Sequence, residues 1–370
     1  MSETTTQAQY SFDAEVLQDF MAQVFESFRM PEADALLAAE VLMYSDLRGI
    51  DSHGIARLKT YCHYLSEGSI NPRPNMRVIN DRTSVARIDG DNGMGLVIAP
   101  RSFEIAMDKA QAHGSGWVSI QNSNHYGAAG YYAEQGLEQD LIGISMTNTS
   151  KVVAPLYGAE RMLGTNPIAI GFPANEEAAI VIDFATSTVS FGKVEIQLRK
   201  QESLPEGWAI RPDGKSALNP MDFMEGAALS PLGSDKTRGG HKGYGLAAMV
   251  DLLCGVLSGA NWGPFVPTFA VGIPNVKEQV GKGIGHFMGA WDIGSFTDPD
   301  EFKSKVDDWI RVMRATHLLP DQEKVLIHGD PEREALAKRK KGGIPLLEAV
   351  VNDLKEVSEE RGIKLPLPLD

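Results

Sequence analysis

Hydrophobic residues near the start of the chain recur at helical spacing. A helix over residues 12–28 would carry four of them on one face, since they occupy every fourth position: Val16, Phe20, Val24 and Phe28. Pro31 suits the first turn of a second helix, whose hydrophobic stripe continues toward Asp46. The pattern therefore predicts an N-terminal pair of helices.

Further along, short hydrophobic runs alternate with helical stretches. The pattern predicts strands over residues 84–89, 117–120, 141–146, 168–172, 179–183 and 286–293. It predicts helices over residues 100–113, 131–139, 241–259, 302–317 and 346–358, with a turn at 91–95 and a loop at 338–343. Such alternation is typical of an α/β protein.

Two segments have unusual composition. Residues 200–240 are rich in Gly, Pro and polar residues and show little periodicity, so we expect a long surface excursion there. The run that begins at His241 is hydrophobic on every side, which predicts a buried helix that Gly259 ends.

Charge and cysteine content narrow the partners. The chain has 49 acidic and 35 basic residues, a net charge of −14, so nucleic acid is not expected to bind. No hydrophobic run is long enough for a membrane span, and the polar N-terminus lacks the pattern of a signal peptide. Cys62 and Cys254 stand apart and predict reduced thiols, so we expect a cytoplasmic protein. The eight scattered histidines give no metal-site spacing, and no metal is expected.

The densest group of reactive side chains lies between Arg48 and Arg57. It also contains Asp51, Ser52 and His53, so arginine could bind a carboxylate while histidine moves a proton to an adjacent carbonyl. The alternative is structural, with the Asp and Ser side chains capping the next turn. The two flanking arginines favour the functional interpretation.

A second group follows the strand that ends near Ile120. His125 there can act as an acid or base, or can simply begin a helix, and the sequence does not separate the two. Residues 164–169 and 183–187 suit ribose and amide recognition, although turns explain them equally. Lys193 and Lys242 are candidate partners for anions, or merely solvated lysines.

Several common enzyme motifs are missing. A GxGxxG phosphate loop and a Walker loop are both absent, and the glycine runs at 90–95 and 240–245 have the reverse spacing. Ser52, His53 and Asp51 are too close in sequence to form a hydrolase triad, and there is no GxSxG turn.

Seven segments together resemble the type 2 malate/lactate dehydrogenase family in order and spacing over residues 12–355: DLRGIDSHGIARL, QNSNHYGAAGYYAE, LGTNPIAIGFP, DFATSTVSFGKV, PEGWAIRPDGK, PLGSDKTRGGHKGYGLAAMVDLLCGVLSGA and HGDPERE. That family includes malate, sulfolactate, ureidoglycolate and diketogulonate oxidoreductases and cyclic-imine reductases. Its fold is unrelated to the Rossmann enzymes, which accounts for the missing GxGxxG motif.

The resemblance implies a three-layer α/β/α protein with a mixed, largely antiparallel central sheet, a non-Rossmann NAD(P) site and an N-terminal helical region. It predicts residues 1–80 as a helical substrate region that packs with the C-terminal segment, 81–300 as the NAD(P)-binding domain and 301–370 as that C-terminal segment. It also implies a homodimer with the active site near the subunit interface. NAD is the expected cofactor, with NADP as the alternative.

The resemblance also assigns roles by position. The implied catalytic residues are His53, His125, Ser52 and Arg57, with either histidine as the acid or base. The implied substrate-binding residues are Arg48, Arg57 and Lys193. The implied cofactor-binding residues are His125, Tyr126, Gly127, Thr149, Asp183, Phe184, Ala185, His241, Lys242, Gly329, Asp330 and Pro331.

The residue after Gly192 helps to select the reaction. Cyclic-imine reductases of the family carry an acidic residue there, whereas this chain has Lys193, as the hydroxyacid enzymes do. We therefore expect interconversion of a small 2-oxoacid and 2-hydroxyacid, with oxaloacetate and malate as the first choice because two arginines suit a dicarboxylate. Lactate, sulfolactate and ureidoglycolate are the alternatives within the family, and a catalytically silent binding protein is the alternative of another class.

Overall fold

The computed structural model describes residues 9–269 and 276–369. Its strands are β1 Gln9–Phe12, β2 Arg77–Asp81, β3 Val85–Asp89, β4 Ser115–Ser123, β5 Leu141–Thr147, β6 Ile168–Phe172, β7 Ile180–Phe184, β8 Ala209–Ile210, β9 Ala228–Leu229, β10 Ile284–Asp292 and β11 Ile344–Leu347. Its α-helices are α1 Ala14–Glu26, α2 Glu32–Leu47, α3 Leu58–Ser66, α4 Gly95–His113, α5 Gly130–Gln135, α6 Phe191–Lys200, α7 Gly240–Asp251, α8 Pro299–Arg314, α9 Asp330–Gly342 and α10 Glu348–Arg361.

A seven-stranded sheet forms the centre, in the order β2-β3-β4-β10-β5-β6-β7. Within the described chain, β3 and β4 are its only parallel neighbours, and every other neighbouring pair is antiparallel. The predicted mixed, largely antiparallel sheet is confirmed. It differs from the parallel sheet that carries a GxGxxG loop in a Rossmann fold.

Helices cover both faces of this sheet, which gives three layers. On one face, Met288 of β10 packs in the main core with Phe103 of α4 and Tyr132 of α5. On the opposite face, Phe287 packs with Val250 of α7. Successive residues of β10 serve the two layers because side chains alternate along a strand.

The two ends of the chain meet. Strand β1 pairs antiparallel with β11, from Gln9 opposite Leu347 to Phe12 opposite Ile344. Asp13 begins α1, because its side chain accepts from two backbone N–H groups of the first turn. Helices α1 and α2 share the main core with α10. The domain boundaries near 80 and 300 stay a prediction.

The predicted surface excursion over residues 200–240 is only partly right, because many of its residues are exposed but others are buried. Leu204, Phe223 and Leu229 of this segment are buried in a second hydrophobic core together with Val153 and Val189. Only the two-residue strands β8 and β9 give this segment regular structure along with a short 3₁₀ helix. A core made from single side chains at irregular spacing leaves no periodic signal in the sequence.

Two other predictions need correction. Lys338–Lys341 belong to α9, because Gly343 ends that helix only after them, so they are not a loop. The helix that begins at Gly240 continues as a π-helical turn to Leu257 but is not buried on every side. Its outer side, which we call the α7 face, is 40–57% exposed and consists of Met249, Leu252, Val256 and Leu257.

No helix in the described ranges is both long and apolar enough to span a bilayer.

Candidate active site

One large cavity, of about 1130 Å³, opens at a single edge of the central sheet. Strands β3, β4, β5 and β7 run in the same direction, so their carboxyl ends meet at this edge. Loops after β4, β5 and β7 therefore line the cavity, together with the segment after α2 and the first residues of α6 and α9. This is the usual place for a ligand site in an α/β protein.

The cavity gathers most of the residues that the sequence singles out. The predicted residues that line it are Arg48, Ser52, His53, Arg57, His125, Tyr126, Gly127, Thr149, Asp183, Phe184, Ala185, Lys193, Gly329 and Pro331. Three predicted cofactor residues are not among its lining. His241 and Lys242 are exposed at the start of α7. Asp330 is buried, where it accepts from the Ile327 N–H and pairs with Arg333.

The rings of His53 and His125 stack on each other in the wall of the cavity. Their ring centroids are 5.7 Å apart, with 21° between the ring planes. Nδ1 of His53 is 2.8 Å from the Ser52 hydroxyl oxygen, and Nδ1 of His125 is 2.6 Å from the Tyr61 hydroxyl oxygen. Phe269 stacks on His125 at 4.4 Å, with only 3° between the rings. Within the described chain, each Nε2 atom is left without a hydrogen-bond partner.

Both histidines are held neutral. Desolvation, and after it the Arg57 charge, lowers the pKa of His53 to about 4. Desolvation also lowers the pKa of His125 well below its ordinary value, with further contributions from His53 and Arg57. A neutral imidazole has one free nitrogen lone pair, so either ring can accept a proton.

A buried carboxyl group holds the segment that carries Ser52, His53 and Arg57. Oδ2 of Asp46 accepts from the Ile55 N–H at 2.7 Å. A Cβ atom at Gly54 would lie 2.0 Å from Oδ1 of the same carboxyl, so only glycine fits there. Burial raises the pKa of Asp46 to about 8. Arg339 of α9 adds hydrogen bonds to the Asp46 carbonyl and to the Asp51 side chain.

The two predicted carboxylate-binding arginines have different surroundings. Arg57 donates to the Ser52 carbonyl at 2.7 Å and contacts Glu195 at 3.3 Å. Arg48 lies over the Tyr44 ring and pairs with Glu134 at 2.9 Å. Only Arg57 is tied directly to the segment that carries His53, and the predicted anion partner Lys193 is exposed at the cavity rim.

The other end of the cavity suits a dinucleotide. Oδ2 of Asp183 accepts from the Gly130 N–H at 2.7 Å, while its Oδ1 has no partner among the described residues and can accept from a ribose hydroxyl. The N-terminus of α9 faces the cavity here, and helix N-termini favour phosphate groups, whereas the N-terminus of α6 lies beside Ser52. The volume exceeds the upper end, about 1,000 Å³, of ordinary small-molecule pockets, which leaves room for two ligands.

Sequence reasoning missed three side chains that complete this site. Tyr61 lies one helical turn after Arg57, and its hydroxyl group contacts His125. The sequence gives only a weak signal of this role, a hydroxyl group on a buried helix face. Phe269 and Arg161 come from irregular segments distant in sequence, and no motif marks them. Across the described residues, no group of three or more His, Cys, Asp or Glu side chains could hold a metal ion.

Comparison with known proteins identifies the family. The family model described as malate/L-lactate dehydrogenase matches residues 12–355. The chain therefore belongs to the malate/L-lactate dehydrogenase family, and the resemblance inferred from its motifs is confirmed. It is an enzyme of the dehydrogenase class, since the matched family model and close relatives are dehydrogenases of small hydroxyacids.

Individual relatives agree with this assignment. The malate dehydrogenase of Pyrococcus horikoshii is 41% identical over 346 residues, which are 93% of this chain and 94% of the relative. The L-sulfolactate dehydrogenase of Methanocaldococcus jannaschii is 38% identical over 342 residues, 92% of this chain and 94% of the relative. The crystal structure of malate dehydrogenase from Entamoeba histolytica superposes with a TM-score of 0.90 at 33% identity, covering 97% of this chain and all of that chain.

Proposed function

We propose that this enzyme interconverts malate and oxaloacetate with NAD. The observation that carries the proposal is the cavity itself, which is lined by two neutral histidines, by Arg57 and by Asp183, whose Oδ1 has no partner among the described residues. An acid–base group beside a carboxylate-binding cation is what reduction of a 2-oxoacid requires. Relatives named malate dehydrogenase support the choice of substrate.

When bound, the nicotinamide supplies or takes up the hydride at the substrate's second carbon. Arg57 binds the carboxylate next to that carbon through its free Nη1 and orients the reacting carbonyl toward the histidines. During oxidation, Nε2 of a neutral histidine accepts the proton of the 2-hydroxyl group. During reduction, the protonated ring returns it, so that alkoxide charge does not accumulate.

The hydroxyl groups beside the two rings fix their orientation. When Nδ1–H of His53 donates to Ser52, or that of His125 to Tyr61, the free lone pair lies on Nε2. Arg57 also lowers the pKa of both rings. A carboxylate on Arg57 cancels part of that charge, so substrate binding raises the histidine pKa toward the range in which a proton can be shared.

The charges at the dinucleotide end favour NAD over NADP. Asp183 and Glu332 both line this end, and carboxylates there accept from ribose hydroxyls but repel a phosphate group. The nearby arginines already have carboxylate partners, Arg48 with Glu134 and Arg333 with Asp330. The 2′-phosphate of NADP would therefore lie near two carboxylates, and neither of these arginines would be free to bind it.

The α7 face supports the predicted homodimer. Four large apolar side chains stand exposed on one helix surface, and a second copy of this chain would bury them around a twofold axis. The molecular mass in solution tests this, because Leu252→Glu should convert a dimer to monomers. Cys62 and Cys254 are free and buried, which supports a reducing compartment such as the cytoplasm.

The test of the function is a substrate panel. Loss of reduced nicotinamide absorbance is followed with NADH and with NADPH against oxaloacetate, pyruvate, sulfopyruvate and oxalurate, ranked by kcat/KM. We expect oxaloacetate with NADH to lead. A lead by another oxoacid would overturn the substrate, a lead by NADPH would overturn the cofactor, and no reaction at all would favour a silent binding protein.

A further inference from the structure

Arg161 is a charged residue of the cavity wall without a carboxylate partner. It is partly buried, and no ion pair to it exists among the described residues. The other cavity arginines each have one: Arg48 with Glu134, Arg57 with Glu195, and Arg333 with Asp330. A guanidinium that is partly withdrawn from water and has no carboxylate partner is suited to bind an anionic ligand.

Backbone carbonyls hold this guanidinium in place. Nε of Arg161 donates to the Ala227 carbonyl at 2.7 Å, and Nη2 donates to the Phe223 carbonyl at 2.5 Å. The guanidinium carbon lies 5.4 Å from the centre of the Phe223 ring. Nη1 has no hydrogen-bond partner among the described residues. Burial lowers the pKa of Arg161, as expected for a cation with too little compensation.

Two chains of contacts connect Arg161 with the histidine end of the cavity. Through the first, the Phe223 ring packs edge-on against Phe191 at 5.5 Å. Phe191 precedes Gly192, where a Cβ atom would lie 2.9 Å from the Cβ of Ser52. Packing through Phe223 and Phe191 therefore connects the Arg161 guanidinium with the start of α6, which lies beside Ser52.

The second chain of contacts runs through the segment after β5. The Val152 N–H donates to the Leu163 carbonyl at 2.8 Å, which pairs this segment with the one that carries Arg161. Ser150, two residues earlier, accepts from the Phe269 N–H at 2.9 Å. Phe269 is the ring that stacks on His125.

We propose that Arg161 binds the second anionic group of the substrate, the distal carboxylate of a four-carbon dicarboxylate, while Arg57 binds the carboxylate next to the reacting carbon. This inference rests on the proposed function and refines it. It also replaces the prediction that Arg48 is the second carboxylate ligand. Arg48 lies beside Tyr44 and Glu134, and Tyr44 also donates to Glu134 at 2.6 Å.

The test compares two substrates of equal chain length, oxaloacetate and 2-oxobutanoate, which lacks the distal carboxylate. The ratio of their kcat/KM values is measured with NADH for the wild type, Arg161→Gln, Arg161→Lys and Arg48→Gln. Loss of a charge-assisted hydrogen bond pair should lower the ratio for Arg161→Gln by about 10- to 100-fold. Arg161→Lys keeps the charge without the planar fork, so its ratio should fall between those of the wild type and the glutamine variant.

A structural role for Arg161 would lower both kcat/KM values together and leave the ratio unchanged, which would overturn the inference. A fall of the ratio in Arg48→Gln but in neither Arg161 variant would restore Arg48 as the distal ligand. If Arg161→Gln does not fold, an unchanged ratio in Arg161→Lys overturns the proposal. A wild type that does not prefer oxaloacetate over 2-oxobutanoate refutes the dicarboxylate substrate itself, which separates failure of the proposed function from failure of this inference.

Discussion

The imidazole rings of His53 and His125 lie nearly parallel, with 5.7 Å between their centres, and each is fixed by a different hydroxyl group. Protonation of either ring raises the electrostatic cost of protonating the other, because the two rings share one desolvated cavity wall next to Arg57. We therefore expect the pair to take up at most one proton during the reaction.

Replacing each histidine in turn should separate the proton donor from its neighbour. Removal of the residue that moves the proton should lower kcat about 10²- to 10⁴-fold, because general acid–base catalysis contributes that much. The other variant should mainly raise KM. Steady-state kinetics of His53→Ala and His125→Ala with oxaloacetate check this. His63→Ala is the control, since His63 is on the surface beside Glu67. Normal turnover in both cavity variants would refute the mechanism.

The direction of the reaction should determine its pH dependence. Malate oxidation needs a neutral imidazole. The lowered pKa of His53 keeps its ring neutral down to about pH 4. The kcat/KM of malate oxidation should therefore stay level from pH 8 to about 5 and fall only below that, because kcat/KM reports the pKa values of the free enzyme. Oxaloacetate reduction needs the protonated ring, so its kcat/KM should fall as pH rises. If kcat/KM for malate oxidation fell with a midpoint near the ordinary pKa of histidine, the inference that the two rings are desolvated would be contradicted.

Gly192 leaves room for Ser52 at the start of α6. A methyl group at this position would approach the Cβ of Ser52 to 2.9 Å, closer than side-chain carbons normally come, so Gly192→Ala should displace Ser52 and His53. We expect kcat/KM to fall at least about 10-fold, since small misplacements of catalytic groups are costly. Gly245→Ala is the matched control, because nothing lies within 4 Å of its added carbon. Equal activities of the two variants would contradict this contact.

His286 should contribute to the acid sensitivity of the fold. Its buried ring bonds Thr147 and Ser123, and burial lowers its pKa from 6.5 to about 3. Between those values the unfolded chain binds the extra proton, so stability is complete above pH 6.5 and is lost as pH falls. By linkage this amounts to about 2 kcal/mol between pH 8 and pH 5.

Urea unfolding of wild type and His286→Gln at pH 8 and pH 5 measures this contribution. The variant loses the packing of the ring at both pH values. It has no imidazole at this position, so its stability does not fall through protonation of that group in the unfolded chain. The gap in free energy of unfolding between the two proteins should therefore narrow by about 2 kcal/mol at pH 5. A gap that is the same at both pH values would contradict the buried neutral ring.

Most of the central sheet was predictable from the sequence, because its strands bury long hydrophobic runs. β5 and β6 match their predicted ranges within one residue. The edge strand β2 escaped prediction, since all five of its residues are exposed and no side chain pattern marks a buried face. Helix α4 begins five residues before Pro100, which the sequence suggested as its start. Packing against the sheet outweighs the hydrogen bond that proline cannot make.

The site was predictable where its residues lie in continuous motifs. Ser52, His53 and Arg57 occupy one segment, and the structure brings them to the same cavity as His125 and Asp183. Tyr61, Phe269 and Arg161 could not be predicted, because they reach the cavity only through tertiary packing. Arg48 and Arg57 looked equivalent in the sequence, and only the structure distinguishes them, since Arg57 donates to the Ser52 carbonyl whereas Arg48 lies over the Tyr44 ring.

The central claim is that hydride passes directly between the nicotinamide and the second carbon of a four-carbon hydroxyacid. NADH carrying deuterium in place of both hydrogens at C4 is incubated with oxaloacetate and the enzyme, and the malate produced is examined by proton NMR. Our account predicts deuterium at C2 of malate and none at C3. Malate without deuterium at C2, or no malate at all, would contradict it.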